Sequence, residues 1–151
     1  MTSWDDVAAA EPEFAARVRA LFESQRHMTL ATLRRDGSPR ISGTEVRFAD
    51  GELLLGMMPG SRKAIDLGRD PRLALHSPTV DPPVDDHSSW VGDAKIAGRA
   101  VPAGDPDADR DAPHFRIDIS EVVLTRVGHP ADHLVIESWH PGRGLERTER
   151  R

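Results

Sequence analysis

The sequence predicts a mainly β fold, with about six or seven mostly antiparallel strands, one N-terminal helix and one short internal helix. Runs of alternating apolar and polar residues recur from residue 28 onward. Asp-Gly pairs separate the first of these runs, which is the strongest short-range signal for hairpins. Helical spacing is confined to two segments, so the crossover helices of a parallel sheet are missing. We therefore expect a small, closed, single-domain barrel over residues 1–151.

The composition narrows the class of protein. A chain of 151 residues with 30% charged residues is typical of one ordinary globular domain. The net charge of −5 argues against general binding of nucleic acid, which requires a basic face. The absence of cysteine excludes disulfides, thiolate metal sites and a cysteine nucleophile. An acidic N-terminus and the lack of long apolar runs argue against export and membrane insertion, so we expect a cytoplasmic protein.

Residues 1–27 are predicted to form a helical segment. Ser3 and Asp6 have the spacing of a capping box, and Pro12 is suited to open a helix. The apolar residues that follow at helical spacing are Phe14, Val18, Leu21 and Phe22. This pattern indicates an amphipathic helix that packs on the barrel.

Three strands are predicted next, over residues 28–33, 39–48 and 52–58, with turns at Asp36-Gly37 and Asp50-Gly51. They would form a three-strand meander. A fourth strand is expected at Arg72 to Ser77, just after the Asp70-Pro71 break.

The segment PGSRKAIDLGRDP contains a local contradiction. Ser61 is a good N-cap and Gly68 a good stop for a short helix from Arg62 to Leu67. Arg62 and Lys63 nevertheless occupy its first turn, where the helix dipole disfavours cations. A bound anion would explain them, since free N–H groups and two cations together make a phosphate site. Two solvated side chains are the alternative explanation.

The second half of the chain continues the strand pattern. WVGDAKIAGRAV alternates with a small-residue face, and HFRIDISEVVLTRV loses its alternation near Glu121, which indicates a bulge. HLVIESWHPG is the last predicted strand, which puts the barrel at residues 28–142 and a mobile basic tail at 143–151. Two polar loops are predicted between these strands, at Thr79–Ser89 and Ala103–Pro113. The first contains Asp81, Asp85, Asp86 and His87, but it lacks zinc or calcium spacing, so we expect no metal site.

The order of these features resembles the pyridoxamine 5′-phosphate oxidase-like, flavin-binding split-barrel superfamily, which includes flavin and deazaflavin oxidoreductases. The resemblance covers about residues 26–100 and is carried by three segments. They are RHMTLATLRRDGSPRISGTEVRF, GMMPGSRKAIDLGRDPRLAL and DAKIAGRAV. The resemblance implies a split barrel, a homodimer with two sites at its interface, and a cofactor site in each.

The resemblance also implies roles for particular residues. Those expected to hold the flavin phosphate are Ser61, Arg62 and Lys63. Those expected beside the ring and ribityl chain are Ser42, Gly43, Thr44 and Met57. Gly43 would let the ring approach the backbone, although a glycine at a barrel corner is an equal alternative. Trp139 would either cover the ring from the partner subunit or pack in a core.

The predicted function is hydride transfer between ring N5 and a small organic substrate. No nucleophile and base pair stands out, so we nominate no catalytic side chain and expect the cofactor to do the chemistry. FMN is the expected cofactor. The deazaflavin coenzyme is the alternative and would need a further basic groove, for which the candidates are Arg40, Arg47, Arg69 and Arg72. A non-enzymatic flavin or haem carrier and a cofactor-free structural protein are the competing functions, and we expect neither nucleic acid nor membrane as a partner.

Overall fold

The computed structural model describes residues 1–104 and 111–151. Its α-helices are α1 (Trp4–Ala10), α2 (Pro12–Phe22) and α3 (Arg62–Arg69), and one 3₁₀ turn covers His87–Ser89. Its strands are β1 (Met28–Leu33), β2 (Pro39–Thr44), β3 (Val46–Ala49), β4 (Glu52–Gly56), β5 (Arg72–His76), β6 (Asp93–Pro102), β7 (His114–Val127), β8 (Leu134–His140) and β9 (Gly144–Arg150). The predicted mainly β class is confirmed. No helix of the described part is long and apolar enough to cross a membrane.

The strands form one antiparallel sheet in the order β2-β1-β5-β6-β7-β4-β3, with β8 added to β7 and β9 to β8. Among the described residues no ladder joins β2 to β3. The sheet is therefore not the closed barrel that the strand pattern suggested, and it is consistent with the split barrel that the resemblance implied.

The predicted three-strand meander is wrong in one respect. Residues 39–48 belong to two strands and not to one. The chain pairs with β1 as far as Thr44 and pairs with β4 from Val46 onward. β2 pairs with β1, whereas β3 pairs with β4 at the opposite edge of the sheet. Both predicted hairpins are present, and Asp50 and Gly51 have the positive φ angles of a tight hairpin turn. The Asp-Gly turn signals depend only on neighbouring residues. They therefore do not show that the segment between the two turns forms two separate strands.

The C-terminal residues are a strand and not the expected mobile tail. Gly144–Arg150 forms β9, which pairs along its whole length with β8. Its side chains beyond Leu145 are exposed and mostly charged, as is usual for an edge strand that must resist further pairing. With the divided second strand, β9 raises the strand count from the predicted six or seven to nine within the described residues.

The N-terminal segment contains two helices where one was predicted. Ser3 Oγ accepts from the Asp6 N–H at 3.1 Å, and the Asp6 carboxylate accepts from the Ser3 N–H at 2.8 Å, so the predicted capping box is confirmed. Pro12 opens α2 as predicted. The Trp4 ring packs edge-on against Phe48 of β3, with 4.9 Å between centroids, which fixes the helices on the sheet.

The centre of the sheet follows the predicted alternation. Ala94, Ile96, Gly98 and Ala100 of β6 are all buried on one face. The register of β6 against β7 shifts between Ala97 and Gly98, opposite Glu121 and Ile119, which confirms the predicted bulge. A Cβ at Gly98 would lie 2.2 Å from the Asp118 carbonyl oxygen, so the bulge requires glycine there.

Candidate functional site

A connection of five residues, 57–61, joins the end of β4 to the N-terminus of α3. The Ser61 N–H donates to the Met58 carbonyl at 3.2 Å, and Gly60 between them has a φ of 71°, which closes a tight turn. Ser61 is the N-cap, and its hydroxyl accepts from the Ala64 N–H at a long 3.4 Å. The predicted cap is confirmed, and the hydroxyl keeps its own proton to donate to a ligand.

The helix runs two residues further than predicted. Gly68 lies inside α3, which ends at Arg69, before the Asp70 cap and Pro71. A proline two residues after the last helical residue stops a helix more effectively than a glycine within it.

The first turn of α3 has no acidic residue to complement the helix dipole. Arg62 is exposed there and, within the described part of the chain, makes no ion pair. Lys63 Nζ donates to the Gly43 carbonyl oxygen at 2.7 Å. This bond joins the predicted phosphate-binding turn to the predicted ring-binding segment of β2, which lie 20 residues apart in the sequence.

Three predicted residues at the end of β2 have different environments. Gly43 is exposed, and a Cβ built on it would meet no atom within 4 Å. Thr44 is only 3% exposed, and its Oγ1 is a buried polar atom without a partner in the described structure. Ser42 is half-buried on the same side of the strand as Thr44. An unsatisfied buried hydroxyl is costly, so Thr44 is suited to donate to a bound molecule.

A buried carboxylate holds α3 against β1 and β2. Asp66 is 2% exposed and accepts from Thr32 Oγ1 at 2.8 Å, Arg40 Nε at 2.7 Å and Arg69 Nη2 at 3.0 Å. Burial alone would raise the pKa of Asp66, but the hydrogen bonds from Arg40, Thr32 and Arg69 outweigh it and lower that pKa to about 2. Asp66 is therefore ionised at neutral pH and fixes both guanidinium groups in place.

These arginines belong to a groove of about 510 Å³ between the β1–β2 turn and α3. We call it the arginine groove; its basic side chains are Arg34, Arg35, Arg40, Arg62 and Arg69, and its acidic ones are Asp36 and Asp66. Of the further basic residues proposed from the sequence, Arg40 and Arg69 line it. Arg47 lines a different cavity, and Arg72 pairs with Asp70 at 2.7 Å. Sequence reasoning missed Arg34 and Arg35, for which the only signal was an Arg-Arg pair in a predicted turn.

Two predicted site residues are buried in the core. Met57 is 6% exposed, and its N–H donates to the Pro113 carbonyl at 3.1 Å. Trp139 is 5% exposed and lies on β8 between Val122 of β7 and Leu145 of β9. Trp139 is thus in the core of its own chain, several strands from β2, and its predicted contact with a ring in the partner stays a prediction.

The described residues contain no group of three or more His, Asp or Glu side chains arranged to hold a metal. The loop at 79–89 is described, whereas residues 105–110 of the second predicted loop lie outside the described part. A smaller cavity of about 230 Å³ lies beside β4 and β7 and includes His114, whose Nε2 is buried without a partner in the described structure. No sequence signal indicated His114.

Several solved structures have a similar fold. PhzG from Burkholderia lata, in complex with tetrahydrophenazine-1-carboxylic acid, is 13% identical over 98% of this chain and 95% of that one, with a TM-score of 0.64. A haem-binding protein from Mycobacterium smegmatis is 15% identical over 91% and 87% of the two chains, with a TM-score of 0.60. HutZ, the haem storage protein from Vibrio cholerae, is 12% identical over 76% and 94%, with a TM-score of 0.57. At these identities the similarity shows the fold alone.

The sequence itself matches more specifically. No curated protein matches this chain. The family profile described as pyridoxamine 5′-phosphate oxidase matches residues 14–132, which include most of α2, the divided second strand, the whole of α3 and its cationic first turn. The fold, the order of the motifs and this match agree, and the chain belongs to the pyridoxamine 5′-phosphate oxidase family.

Proposed function

We propose that this protein is a flavin-dependent oxidoreductase that binds the phosphate of FMN at the N-terminus of α3. The observation that carries the proposal is the 2.7 Å bond from Lys63 to the Gly43 carbonyl, which brings the cationic turn and the end of β2 into one site. Ser61 supplies a hydroxyl and Arg62 an exposed guanidinium beside the N–H groups of the first turn. This donor set suits a terminal phosphate dianion.

The end of β2 fits the rest of the cofactor. β2 is an edge strand, and because the Gly43 carbonyl accepts from Lys63 it points away from β1. In an extended strand the N–H of a residue points to the same side as its carbonyl, so the Gly43 N–H faces this open edge. Thr44 adds the unpartnered hydroxyl. The edge therefore offers hydrogen-bond donors of the kind that the polar atoms of a flavin and its ribityl chain require.

A bound flavin supplies hydride exchange at ring N5. The chain itself contributes binding and orientation. Arg62 and Lys63 neutralise the phosphate charge, and Ser61 orients the phosphate by a hydrogen bond. The backbone of β2 packs against one side of the ring. We assign no side chain as an obligatory acid or base. The substrate is a small organic molecule whose identity the loops do not encode, and a cytoplasmic location stays a prediction from the sequence.

FMN remains the preferred cofactor because Ser61, Arg62 and Lys63 match its single terminal phosphate. The deazaflavin coenzyme is the alternative, and the position of Arg40 and Arg69 in the arginine groove supports it. A flavin or haem carrier without turnover is the competing function.

A homodimer is part of the proposal. On the outer face of the sheet, Ile41, Ala31, Ala74 and Ala97 are consecutive partners across four strands. Ile41 is 76% exposed, so this row presents apolar surface to solvent in a single chain. A second copy that covers the row would also lie beside the edge of β2. Sedimentation of wild type and Ile41→Glu tests this, and a wild type that sediments as a monomer contradicts it.

The central experiment measures equilibrium binding of FMN and of the deazaflavin coenzyme by fluorescence. The Arg62→Ala/Lys63→Ala variant should lose at least about 2 kcal/mol of binding free energy, or about thirtyfold in affinity, since it removes two charge-assisted contacts. Arg17→Ala/Arg26→Ala is the matched control, because both residues are exposed and lie outside the site. Unchanged binding by the first variant would refute the phosphate anchor. Cofactor-dependent reduction of quinones, enones or dyes then separates an enzyme from a carrier.

A further inference from the structure

We propose that β9 is a self-association surface: it pairs edge to edge and antiparallel with β9 of a second copy of this chain, with Thr148 opposite the partner's Thr148. The contact uses no residue of the proposed cofactor site. The inference therefore goes beyond the proposed function and does not depend on it.

The first argument is the open edge of β9. Within the described part of the chain the sheet has three edge strands, β2, β3 and β9, of six, four and seven residues. β9 pairs with β8 without a register shift, and no other described strand pairs with it. Alternate N–H and C=O groups along its outer side are therefore without a strand partner. β9 contains neither a proline nor a bulge, so its backbone is able to accept a further strand.

The second argument is the order of the charges on β9. Residues 146–150 are all exposed and read Glu-Arg-Thr-Glu-Arg. When two identical antiparallel strands are centred on Thr148, Glu146 lies opposite the partner's Arg150. In the same alignment Arg147 lies opposite the partner's Glu149. Two-fold symmetry repeats both contacts, so every charge in this segment faces an opposite charge, which stabilises a strand pair.

The order of the charges also specifies the register. A slip of one residue in one direction places Glu146 opposite the partner's Glu149, and a slip in the other direction places Arg147 opposite the partner's Arg150. A slip of two residues places Arg147 or Glu149 opposite its own copy. Like charges directly across a strand pair are destabilising, so the alignment on Thr148 is favoured over its neighbours. Charges on an edge usually prevent pairing, but here their order disfavours other strands and fits an identical one.

The charged groups have little compensation within a single chain. Neither arginine of segment 146–150 makes an ion pair with a described residue. Glu146 Oε1 lies 4.0 Å from Nε of the exposed Arg143, and Glu149 Oε1 lies 3.7 Å from His133 Nε2. Both distances are long for an ion pair, so these carboxylates are compensated only in part.

The position of β9 separates this surface from the proposed homodimer contact. The apolar row that includes Ile41 lies on β2, β1, β5 and β6, and in the sheet order β7 and β8 stand between these strands and β9. No strand belongs to both surfaces. Each surface makes a two-fold contact, so a chain that uses both forms an assembly larger than a dimer.

Sedimentation velocity of the full chain tests the inference in the Ile41→Glu variant, in which the β9 contact alone remains. We expect this parent variant to dimerise as its concentration rises at low salt, and to dissociate when salt screens the charges. Addition of either Arg150→Glu or Glu146→Arg places like charges opposite each other. Either change should weaken dimerisation by at least about tenfold. Arg17→Glu is the matched control, because Arg17 is exposed on α2, and it should leave dimerisation unchanged.

A mixing experiment distinguishes strand pairing from a failure to fold. In a mixed pair of the Arg150→Glu chain and the Glu146→Arg chain, all opposed positions again carry opposite charges. An equimolar mixture should therefore dimerise within about threefold of the parent variant, although neither chain does so alone. Misfolded chains would not regain association in this way.

Three results overturn the inference: an Ile41→Glu variant that is monomeric at every concentration, an equal loss in the Arg17→Glu control, or a mixture that associates no better than its components. A wild type that is a dimer, with a monomeric Ile41→Glu variant, would support the proposed homodimer and reject the β9 contact. Dimers that persist in Ile41→Glu and are lost in Arg150→Glu would do the reverse. FMN titration of the same proteins tests the proposed cofactor separately, and a failure to bind FMN would leave the β9 contact in place.

Discussion

Lys63 Nζ lies 2.7 Å from the carbonyl oxygen of Gly43, and this contact connects the first turn of α3 to the open edge of β2. The lysine is one of only two in the chain. Its ammonium satisfies a carbonyl that β1 does not use and still has donors for a ligand. The helix dipole disfavours both cations at this turn, but their contacts differ. Lys63 is hydrogen-bonded to β2, whereas the Arg62 side chain is exposed and makes no ion pair within the described residues.

Replacement of Lys63 should weaken cofactor binding without unfolding the protein. In Lys63→Met the apolar stem is kept and the charge removed, so we expect FMN affinity to fall by about tenfold or more. The midpoint of thermal unfolding should change little, because the contact is exposed to solvent. Lys95→Met is the control, since Lys95 is exposed on β6, away from the site. Equal FMN affinities for the two variants would remove Lys63 from the proposed anchor.

Gly43→Ala tests whether the ring approaches the backbone of β2. The free protein should tolerate the methyl group, because no atom lies within 4 Å of the Cβ position. We expect stability to rise by up to about 1 kcal/mol, as for glycine replaced within a regular strand. FMN affinity should fall by about tenfold, since the methyl intrudes on a close contact. Gly68→Ala in α3 should give a similar gain in stability with unchanged affinity, and an unchanged affinity in Gly43→Ala would instead favour a purely structural glycine.

Thr44→Val removes the buried hydroxyl that has no partner in the described structure. We expect the cofactor-free protein to be as stable as wild type or more stable, because an unsatisfied polar atom disappears. FMN affinity should fall because a donor is lost. Thr32→Val is the matched control: its hydroxyl donates to Asp66 at 2.8 Å, so its loss should cost about 1–3 kcal/mol. Chemical denaturation of both variants gives the comparison, and a clear destabilisation in Thr44→Val would mean that the hydroxyl is already satisfied.

Local signals in the sequence were sufficient for much of the fold. The Ser3 box, the turn at Asp50-Gly51 and the Ser61 cap each depend on residues within a few positions of one another, and all were predicted. The division of the strand at Glu45 and the pairing of β9 depend on which distant strand lies alongside, which no local pattern encodes.

Of the candidate site, too, only the part that depends on neighbouring residues could be predicted from the sequence. The cationic turn was found from Arg62 and Lys63 because two cations conflict with the helix dipole, and a conflict of this kind marks function. In the sequence its connection to Gly43 is implied by the family resemblance alone, and in the structure the hydrogen bond from Lys63 makes that connection. Arg34 and Arg35 join the groove because the β1–β2 turn folds beside α3, and an arginine pair in an isolated turn gives no reason to expect this.

Asp66→Asn should destabilise the fold substantially. The amide cannot accept from both guanidinium groups and the Thr32 hydroxyl as the carboxylate does, so buried charge is left unpaired. We expect a loss of about 3 kcal/mol in the free energy of unfolding. Asp70→Asn is the control, because its pair with Arg72 is largely exposed and should contribute far less. Urea unfolding curves measure both, and equal losses would show that Asp66 has no special structural role.

The same carboxylate predicts how stability depends on pH. The pKa of Asp66 is about 2 in the folded protein against an ordinary value of 3.8, so on acidification the unfolded chain takes up this proton first. The stabilisation by Asp66 is therefore complete above about pH 5 and is lost as the pH falls towards 2. Wild type should lose stability more steeply than Asp66→Asn across this window, and the difference between the two free energies of unfolding should shrink as the pH falls. Urea midpoints at pH 6, 4 and 3 measure this difference. A difference that stays constant would show that the carboxylate gains nothing from Arg40 and Arg69 in the folded state.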